Sequence, residues 1–516
     1  MDNYLVMKDI TRVYDNGIIA NDKVNFSAQK GEIHAICGEN GAGKTTLMKM
    51  LFGIEQPDGG QIIIKGQEVH LTSPTKAIEA GIGMVHQHFM QVPSLTVAEN
   101  VVLGIEPTKG LTFDMDKAVE LTQEVCKKYG FDIDPRARIM DLTVGVKQKV
   151  EIVKALVKGC EILILDEPTA VLTPQETAEL FVQLKKLKES GCTIIFISHK
   201  LNEVKQLCDR VTVIRKGKTI ASFNIADVTE ADISRTMVGV DVDLVVPKDP
   251  AKPQENILVV KDLGIYNEIG KKVVKNISFS VRKGEIVGIA GVEGNGQREL
   301  IDAITGLHVY SEGSIRLDGK EVSDLTINKL RKEGLVHVPE DRMTLGCAAD
   351  MTIKENIVAD KMDLPQFAGK AFIKPGNIKK DTDTWIEEYK ILCKNGEQAV
   401  SALSGGNIQK VVVAREFTSF NKLLVLDQPT RGIDVGAAEF IRRRAIEMRD
   451  QGRAVLVTSA DLGELLNLSD SLLVMYGGEI TAYFPDVSTL GEEELGFYML
   501  GVRKMSAEEI GGALHA

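Results

Sequence analysis

The sequence lacks several features that would set it apart from ordinary soluble proteins. None of its apolar runs approaches the roughly 18 residues that a transmembrane helix requires, so we expect no membrane-spanning segment. The first residues show no basic stretch followed by an apolar core, so no secretory signal is visible. These two absences predict a soluble cytoplasmic protein.

Paired cysteines are missing as well. The seven cysteines are scattered along the chain, and no two of them have the C-x-x-C spacing. An odd, dispersed set in a chain without a secretory signal indicates reduced thiols, because disulfides and zinc sites need paired or clustered cysteines.

An excess of positive charge is also absent. The chain has 62 Lys and Arg residues against 73 Asp and Glu residues, a formal net charge of −11. A protein that coats nucleic acid needs many cations facing the phosphates. We therefore expect no nucleic-acid partner.

The chain consists of a duplicated unit. Residues 30–33, Lys-Gly-Glu-Ile, recur as residues 283–286, an offset of 253, and residues 164–169 match residues 425–430 at an offset of 261. The second copy has therefore gained eight residues between these two landmarks. We predict two homologous domains, and the length of 516 residues is sufficient for two to four domains of ordinary size.

The domain boundaries follow from the repeat and from a polar, proline-rich stretch. Residues 246–254, Val-Pro-Lys-Asp-Pro-Ala-Lys-Pro-Gln, are too hydrophilic to be part of a core. This predicts a first domain at 1–245, a linker at 246–254, a second domain at 255–504 and a C-terminal tail at 505–516.

Each half alternates apolar β-branched runs with longer helical patterns. Residues 211–214 and 454–457 are typical of the runs. This alternation predicts an α/β fold with helices packed around a largely parallel sheet. Residues 97–131 and 353–389 have a predominantly helical pattern, which predicts a helical insertion subdomain in each half.

A glycine-rich stretch predicts a phosphate site. Residues 38–45, Gly-Glu-Asn-Gly-Ala-Gly-Lys-Thr, fit the pattern G-x-x-x-x-G-K-[ST] where a strand turns into a helix. Glycines let backbone N–H groups curl around phosphate oxygens, and the following helix directs its positive end at the anion. In this pattern Lys44 reaches the β- and γ-phosphates, and the Thr45 hydroxyl ligates Mg²⁺. The loop alone does not distinguish a kinase, a GTPase or an ATPase.

Residues further along the chain separate these classes. Residues 161–167 form an apolar strand that ends in Asp166, placed to hold the metal through water, and Glu167, placed to polarise the attacking water. His199 ends a second strand, where its imidazole could contact a γ-phosphate. Gln87 is a candidate contact to Mg²⁺ and to the same water.

In this order, the phosphate loop, Gln87, a short glycine motif before a helix, Asp166-Glu167 and His199 resemble the nucleotide-binding domain of ABC transporters. The resemblance extends over both halves, residues 4–504. Its most specific element, the signature motif LSGGQ, appears as Leu-Ser-Gly-Gly-Asn at 403–407 and as Leu-Thr-Val-Gly-Val at 142–146. A fused pair of this length resembles the energising subunit of sugar and nucleoside importers, with residues 85–101 most similar to the nucleoside branch.

The resemblance implies two tandem P-loop NTPase domains of the ABC type, with ATP and Mg²⁺ as cofactors. It also implies ATP hydrolysis coupled to solute import at the cytoplasmic face of the membrane. The partners would be two integral-membrane permease subunits and, indirectly, an extracytoplasmic solute-binding protein. The implied catalytic residues are Glu167, His199 and Gln87, and the implied metal contacts are Thr45, Gln87 and Asp166. The implied ATP contacts are Tyr14, which would stack on adenine, with Gly38, Glu39, Asn40, Gly41, Ala42, Gly43, Lys44, Thr45, Thr46, Ser404, Gly405 and Gly406.

The two halves differ at the residues that carry the chemistry. At the positions of Lys44, Thr45, Gln87, Glu167 and His199, the second half has Gln297, Arg298, Glu340, Gln428 and Ala460. Gln428 cannot act as a base because an amide does not ionise. Arg298 can still bind phosphate as a fixed charge. The signature motif is damaged in the opposite half, where Val144 and Val146 replace a glycine and a polar side chain.

In the family, two such domains dock head to tail, and each phosphate loop faces the opposite signature. That geometry pairs residues 38–45 with 404–406 in one complete site, and residues 291–298 with 142–146 in one incomplete site. We predict that the first site hydrolyses ATP and that the second binds nucleotide or only supports the structure.

One alternative function belongs to another class, a soluble tandem ATPase that acts on ribosomes or translation. Such proteins usually keep two complete sites and a long basic linker. This sequence has one dismantled site and a nine-residue linker, which favours the transport function.

Overall fold

The computed structural model describes residues 3–14, 17, 19–39, 41–86, 89–110, 112–169, 172–198, 200–238, 246–267, 270–323, 325–369 and 372–514. The chain divides into two compact units, unit 1 at Met1–Val242 and unit 2 at Asp243–Ala516. The division falls just before the predicted linker. Over the described ranges, no helix combines the length and the apolar character needed to cross a bilayer.

Unit 1 alternates strands and helices. Its strands are β1 (Leu5–Val13), β2 (Ile19–Ala28), β3 (Ile33–Cys37), β4 (Gly59–Ile64), β5 (Gln67–Glu68), β6 (Ile82–Val85), β7 (Thr108–Lys109), β8 (Thr112–Phe113), β9 (Ile162–Asp166), β10 (Thr193–Ile197), β11 (Arg210–Arg215) and β12 (Lys218–Asn224). Its helices are α1 (Lys44–Leu51), α2 (Pro74–Glu79), α3 (Val97–Val101), α4 (Met115–Tyr129), α5 (Val144–Val157), α6 (Pro174–Glu189), α7 (Leu201–Leu207) and α8 (Glu230–Val238).

The main sheet of unit 1 is parallel except at one edge. In the described part of unit 1 its order is β12-β11-β3-β10-β9-β6, and only β12 pairs antiparallel. Every residue of β3, β9 and β10 is buried, since both faces of the sheet are covered. Leu163 and Phe196 belong to a core that includes residues of α3 to α8, whereas Ile164 and Ile195 belong to a core on the opposite face that includes residues of α1 and α2. The prediction of a largely parallel sheet is confirmed for this sheet.

A second sheet of unit 1, in the order β2-β1-β4-β5, is antiparallel and was not predicted. Its two long strands contain register shifts, for example between Met7 and Ile10 of β1. These irregularities break the alternation of apolar and polar residues by which a half-buried strand is recognised in a sequence.

Unit 2 repeats the same plan. Its strands are β13 (Asn256–Tyr266), β14 (Lys272–Arg282), β15 (Ile286–Ala290), β16 (Glu312–Leu317), β17 (Lys320–Glu321), β18 (Leu335–Val338), β19 (Leu423–Asp427), β20 (Ala454–Thr458), β21 (Ser471–Tyr476) and β22 (Glu479–Phe484). Its helices are α9 (Gln297–Ile304), α10 (Ile327–Glu333), α11 (Ile353–Val358), α12 (Pro375–Glu388), α13 (Gly405–Phe417), α14 (Val435–Asp450), α15 (Leu462–Leu468), α16 (Glu492–Met499) and α17 (Ala507–Gly511). The sheet orders are β14-β13-β16-β17 and β18-β19-β20-β15-β21-β22.

The registers of the two units match at the offsets found in the sequence. Met84 pairs with Ile164 in unit 1, and His337 pairs with Val425 in unit 2. These pairs are related by the offsets of 253 and 261, so the repeat in the sequence is a repeat in the fold.

Each predicted helical insertion begins at the first residue of a helix in the structure. Helices α3 and α11 begin at Val97 and Ile353, each after a capping box, Thr96 with Glu99 and Thr352 with Glu355. In unit 1 the insertion also contains the short hairpin of β7 and β8, which the helical pattern did not predict.

The predicted linker and the predicted tail both pack against unit 2. In the linker segment, Lys248 Nζ lies 3.3 Å from Asp470 Oδ1, and the side chain of Val246 is buried. In the tail, α17 precedes Ala513, whose carbonyl oxygen accepts a hydrogen bond from Ser280 N at 2.9 Å. Residues 246–254 and 505–514 are therefore not detached segments. Because the sequences of both segments are mostly polar, they gave no sign of the few apolar contacts that these segments make.

Unit 2 buries a group of charged side chains between α10, β18 and α13. Fully buried Glu416 accepts a hydrogen bond from Arg415 Nε at 2.7 Å and lies 2.9 Å from Arg331 Nη2. Arg331 also donates to Asp360 at 2.6 Å, and buried Lys361 donates to the same carboxylate at 3.0 Å. Since each charge in this group has an opposite neighbour, its burial is tolerated.

Beside this group, His337 predicts an acid-sensitive unit 2. Burial lowers the pKa of His337 to about 4, although the Glu416 carboxylate acts in the opposite direction and Arg331 and Arg415 add to the lowering. The unfolded chain has a histidine pKa near ~6.5, so it binds more protons than the folded protein between the two values. Stability from this residue is therefore present above about pH 6.5 and is lost as the pH falls towards 4.

We expect unit 2 to lose about 2 kcal/mol between pH 7 and pH 5 because of His337. His337→Met, which installs the residue found at the matching position 84, should remove that part of the loss. The measurement is urea unfolding at both pH values, followed by the fluorescence of Trp385, the single tryptophan, which lies in α12 of unit 2. An identical pH dependence in the two proteins would contradict the assignment.

Candidate functional site

The predicted phosphate loop joins buried β3 to α1. Gly43 is the N-cap of α1 and has φ 98°, a conformation that favours glycine. At Gly38, a Cβ atom would lie 2.2 Å from the carbonyl oxygen of Ile214, so no side chain fits there. Glu39, Gly41 and Ala42 form the turn between these glycines, and Thr45 and Thr46 follow Lys44 in α1; Asn40 lies outside the described residues.

The ammonium group of Lys44 is held inside this loop. Lys44 Nζ donates to the carbonyl oxygens of Gly38 at 2.6 Å and Glu39 at 3.0 Å, and the residue is 5% exposed. Burial lowers the pKa of Lys44, and the carboxylates of Glu167 and Asp166 oppose that shift. A buried cation whose hydrogen-bond partners among the described residues are neutral carbonyls is well placed to exchange them for the oxygens of a phosphate.

Thr45 and Asp166 bring two oxygen ligands together. Thr45 Oγ1 donates to Asp166 Oδ2 at 3.3 Å, and Asp166 is the last residue of β9. Burial raises the pKa of the Asp166 carboxyl, Glu167 raises it further, and the hydrogen bond from Thr45 lowers it. A hydroxyl beside a carboxylate suits Mg²⁺, which takes oxygen ligands and keeps several waters.

The metal would not be held by protein carboxylates alone. Across the described part of the chain, no three His, Cys, Asp or Glu side chains are grouped so that they could hold a metal ion. The oxygens of Thr45 and Asp166 therefore fit a Mg²⁺ ion whose other ligands come from nucleotide and water.

Glu167 directly follows Asp166 in a strained backbone conformation. Its φ is 48°, in the left-handed region that residues other than glycine seldom adopt, and its N–H donates to the carbonyl oxygen of Ile197 at 3.0 Å. Gln428 of unit 2 has φ 50° and the same hydrogen bond, to Thr458 at 3.0 Å. The strained turn is thus present in both units, but only unit 1 has a carboxylate there.

Two predicted catalytic residues, Gln87 and His199, lie outside the described residues. Strands β6 and β10 end two residues before them, and both strands pair in parallel with β9 on its two sides. The carboxyl ends of β6, β9 and β10 therefore lie at one edge of the sheet, together with Asp166.

Tyr14, the predicted adenine contact, lies beside α1. Its O–H donates to Glu55 Oε2 at 3.0 Å and lies 3.4 Å from Thr46 Oγ1. The guanidinium carbon of Arg12 lies 5.2 Å from the centre of the ring, a cation–π contact. These contacts fix the ring next to the helix that follows the phosphate loop.

The two signature motifs each begin a helix, with different side chains. In unit 2, exposed Ser404 precedes α13, and its Oγ accepts a hydrogen bond from Asn407 Nδ2 at 2.8 Å. In unit 1, Thr143 caps α5 by accepting from Val146 N at 3.4 Å, and Val144 is the first residue of the helix. The first residue of α13 is therefore Gly405, which has no side chain, whereas the first residue of α5 is Val144.

The loop of unit 2 has a different polar arrangement. Gln297 replaces the lysine, and its Nε2 donates to the carbonyl oxygen of Val292 at 3.2 Å. The side chain of Arg298 is 73% exposed. Asp427 accepts from Thr458 Oγ1 at 2.5 Å and has no hydroxyl at position 298 to match Thr45. In the described loop of unit 2, position 297 thus has no cation, and the hydroxyl that pairs with Asp427 comes from Thr458 and not from the loop.

A buried network that sequence reasoning missed supports the turn after Glu167. Glu203 accepts hydrogen bonds from Thr169 Oγ1 at 2.6 Å and from Ser198 Oγ at 3.4 Å, and it lies 3.3 Å from Lys200 Nζ. The matching residues of unit 2 form the same network: Thr430, Ser459 and Glu464. Their identity in both halves, where the catalytic residues differ, is the signal that could have revealed a supporting role.

The family of this chain follows from comparison with known proteins. The family described as ABC transporter matches residues 21–170 and 274–431, one segment in each unit and more than half of the chain together. The chain belongs to the ABC transporter family. It is an ATPase with two tandem α/β domains of the ABC type.

Several curated proteins match nearly the whole chain. The nucleoside import ATP-binding protein NupA of Lactococcus lactis subsp. cremoris is 44% identical over 501 residues, 97% of this chain and 98% of that protein. The guanosine import ATP-binding protein NupO of Bacillus subtilis is 44% identical over 512 residues, 99% and 100%. The glucose import ATP-binding protein TsgD13 of Haloferax volcanii is 40% identical over 528 residues, 96% of each.

A solved structure also resembles the chain over most of its length. The archaeal ribosome recycling factor aABCE1, in complex with the ribosomal stalk protein aP1, has a TM-score of 0.59 and is 19% identical, with 92% of this chain and 90% of that chain covered. At this identity the likeness concerns the fold alone and gives no support to a ribosomal function.

Proposed function

We propose that the protein is the ATP-hydrolysing subunit of an ABC importer for nucleosides or simple sugars. It binds two permease subunits at the cytoplasmic face of the cell membrane, and an extracytoplasmic solute-binding protein delivers the solute to them. The observation that carries this proposal is the 44% identity, over nearly full length, to two nucleoside import proteins. The glucose import relative keeps simple sugars among the solutes.

The site in unit 1 supplies the groups for hydrolysis of ATP to ADP and phosphate. The backbone of residues 38–45 cradles the phosphates, and Lys44 moves from its two carbonyl partners to phosphate oxygens. Thr45 and Asp166 would hold Mg²⁺, which would supply positive charge to neutralise the phosphates. Glu167 accepts a hydrogen bond from the attacking water and orients it towards the γ-phosphorus, and Gln87 and His199 are the other predicted catalytic residues.

The site is completed by the signature of unit 2. In this proposal, the hydroxyl of Ser404 and the backbone N–H groups of Gly405 and Gly406 contact the γ-phosphate of the ATP held by unit 1. The distribution of damage supports it: the intact loop is in one unit, the intact signature is in the other, and the two altered motifs form the second pair. Unit 2 would bind nucleotide through Arg298 or only support the assembly.

ATP binding then drives the import cycle. An ATP molecule contacted from both sides stabilises the pairing of loop and signature, and hydrolysis removes this stabilisation. The helical insertions would transmit the change to the permeases. In the sequence, they begin at Val97 and Ile353, shortly after Gln87 and Glu340.

Unit 1 has a cavity beside β6 that suits a permease segment. Its volume is about 170 Å³, and it lies between α2, β6 and α5. Phe52, Met84 and Met90 are among its apolar lining residues, and Lys154, Lys158 and Glu151 are its charged ones. Exposed methionine suits an adaptable contact surface. We infer that it receives an apolar side chain with carboxylates nearby, which the two lysines would attract.

The matching place in unit 2 carries the buried charges described above. Ile78, Met84 and Ala155, which line the cavity of unit 1, correspond to Arg331, His337 and Glu416. An apolar side chain would displace paired charges there, which is costly. The proposed apolar contact therefore belongs to unit 1, and unit 2 takes a polar one.

The experiment that tests the proposed function uses membrane vesicles with and without the permeases. The protein should sediment with permease-containing vesicles, and its ATPase activity should rise when solute-binding protein and solute are added. Recovery with salt-washed ribosomes, and none with the vesicles, would favour the translation alternative instead.

Within this experiment, Met90→Lys tests the cavity of unit 1. Met90 is 60% exposed, so the change spares the fold while it adds charge to an apolar rim. We expect at least about tenfold weaker sedimentation with vesicles and unchanged basal ATPase activity. Val309→Lys, at a residue 85% exposed in unit 2, is the matched control. Equal sedimentation of both variants would exclude the cavity as the docking site.

A further inference from the structure

In unit 2, the side chain of Arg342 lies against the signature motif. No sequence motif predicted this residue. Arg342 donates from Nη1 to the carbonyl oxygen of Arg431 at 2.8 Å and from Nη2 to that of Gly432 at 3.1 Å. A Cβ atom on Gly405 would lie 2.9 Å from Arg342 Nη2. The guanidinium group therefore lies between the turn that follows Gln428 and the first residue of α13.

The position of Arg342 is fixed from its own side. Asp341 precedes a short π-helix, Arg342–Gly346, and its Oδ1 accepts hydrogen bonds from Met343 N at 2.9 Å and Thr344 N at 3.1 Å. A hydrogen bond from the Thr344 side chain lowers the pKa of Asp341, and the two backbone hydrogen bonds lower it further. The turn thus points the arginine at its two carbonyl partners.

A second ion pair ties the same two segments together. Glu340, at the position of Gln87, forms an ion pair with Arg431. Two side chains therefore bind the turn at 431–432. Glu340 binds the side chain of Arg431, and Arg342 binds the carbonyl oxygens of Arg431 and Gly432. The change from Gln87 to Glu340 thus introduces a contact, because the amide of glutamine cannot form an ion pair.

The glycine of the signature is needed for this arrangement. Arg342 approaches Gly405 so closely that any side chain at 405 would displace the guanidinium. In unit 1, the residue at the position of Gly405 is Val144, and none of residues 86–92 is an arginine. The arginine and the glycine thus occur together in unit 2, and both are replaced in unit 1.

We propose that Arg342 is a positioning residue for ATP hydrolysis. It holds the Ser404–Gly406 backbone against the turn at 431–432, in the orientation that completes the ATP site formed by residues 38–45. This inference rests on the proposed function, since it requires the signature of unit 2 to serve the loop of unit 1. Arg342 itself does not touch the nucleotide.

The test is steady-state ATPase activity together with binding of a fluorescent ATP analogue, for Arg342→Gln and Arg342→Lys. Arg342→Gln should lower kcat by about ten- to a hundredfold, the range expected when a distant change misplaces catalytic groups. Binding of the analogue should stay within about twofold, because the loop of unit 1 is untouched. Arg342→Lys should recover part of kcat, since an ammonium still donates to one of the carbonyls.

Two further variants separate the possible outcomes. Arg316→Gln removes an exposed arginine of unit 2 that pairs with Glu321, and it should leave kcat unchanged. The exchange Glu340→Arg with Arg431→Glu should be more active than either single change. A folded Arg342→Gln protein with normal kcat overturns the inference if Ser404→Arg is inactive. A fully active Ser404→Arg protein overturns the pairing of signature and loop itself.

Discussion

Ser404→Arg is expected to abolish ATP hydrolysis, although Ser404 lies 360 residues from Lys44 in the sequence. Ser404 is exposed at the start of α13, so an arginine there can be accommodated without disturbing the core of unit 2. In the proposed site, the new side chain would fill the space of the γ-phosphate and remove a hydrogen-bond donor. Loss of one such donor costs about 10²–10³ in kcat in other enzymes.

The matched change in unit 1 is Thr143→Arg. Thr143 also precedes a helix, but in the proposed pairing it faces a loop that has Gln297 in place of the lysine. We expect Thr143→Arg to retain most of the activity, apart from a small loss of stability when the helix cap is removed. Gln428→Glu should also add little turnover, because the lysine, threonine and histidine of that site are still absent.

The measurement is steady-state ATPase activity of the three variants at equal amounts of folded protein. If Thr143→Arg lost as much activity as Ser404→Arg, the proposed pairing would be wrong. In that case, the loop of one chain would be working with the first-half signature of a second chain.

The parts of the fold that sequence reasoning found have local signals. The strand that ends in Asp166, the helix that starts at Lys44 and the helices that start at Val97 and Ile353 were all predicted, and the structure has them at those residues. Each depends on short-range chemistry: a continuous apolar run, a glycine turn or a cap.

The parts that it missed depend on contacts between distant residues. The antiparallel sheet of β1, β2, β4 and β5 joins segments whose alternation is broken by bulges. The tail at 505–516 appears polar, yet the carbonyl oxygen of Ala513 bonds to Ser280, more than 200 residues away. Such contacts leave no pattern in either segment alone.

The candidate site shows the same division. Lys44, Thr45, Asp166 and Glu167 could be named from motifs, and the structure brings their backbones and side chains to one sheet edge. Arg342 could not be named, since its partners are backbone carbonyls and no motif records them. A comparison of the two halves gives a signal, because unit 2 has Arg342 and Gly405, whereas unit 1 has no arginine at residues 86–92 and has Val144 at the position of Gly405.

Lys44→Ala is expected to abolish hydrolysis and to weaken nucleotide binding as well. The buried ammonium of Lys44 is the main cation of the loop, and no other cation in the described part of the loop replaces it. In the proposed mechanism it contacts phosphate both before and during the reaction. Its loss should therefore lower kcat by about 10²–10³ and also raise the dissociation constant of MgATP, measured with the fluorescent analogue.

Glu167→Gln should also abolish hydrolysis, but unlike Lys44→Ala it should leave ATP binding intact. An amide fills the same volume and keeps the strained turn, as Gln428 shows at φ 50°, but it cannot orient the water as a carboxylate does. Loss of a general base costs about 10²–10⁴ in rate, so ATP should remain bound and unhydrolysed. Retention of radiolabelled ATP after gel filtration distinguishes this variant from Lys44→Ala, which should retain none. A Glu167→Gln protein that turns over ATP at nearly the normal rate would show that another residue prepares the water.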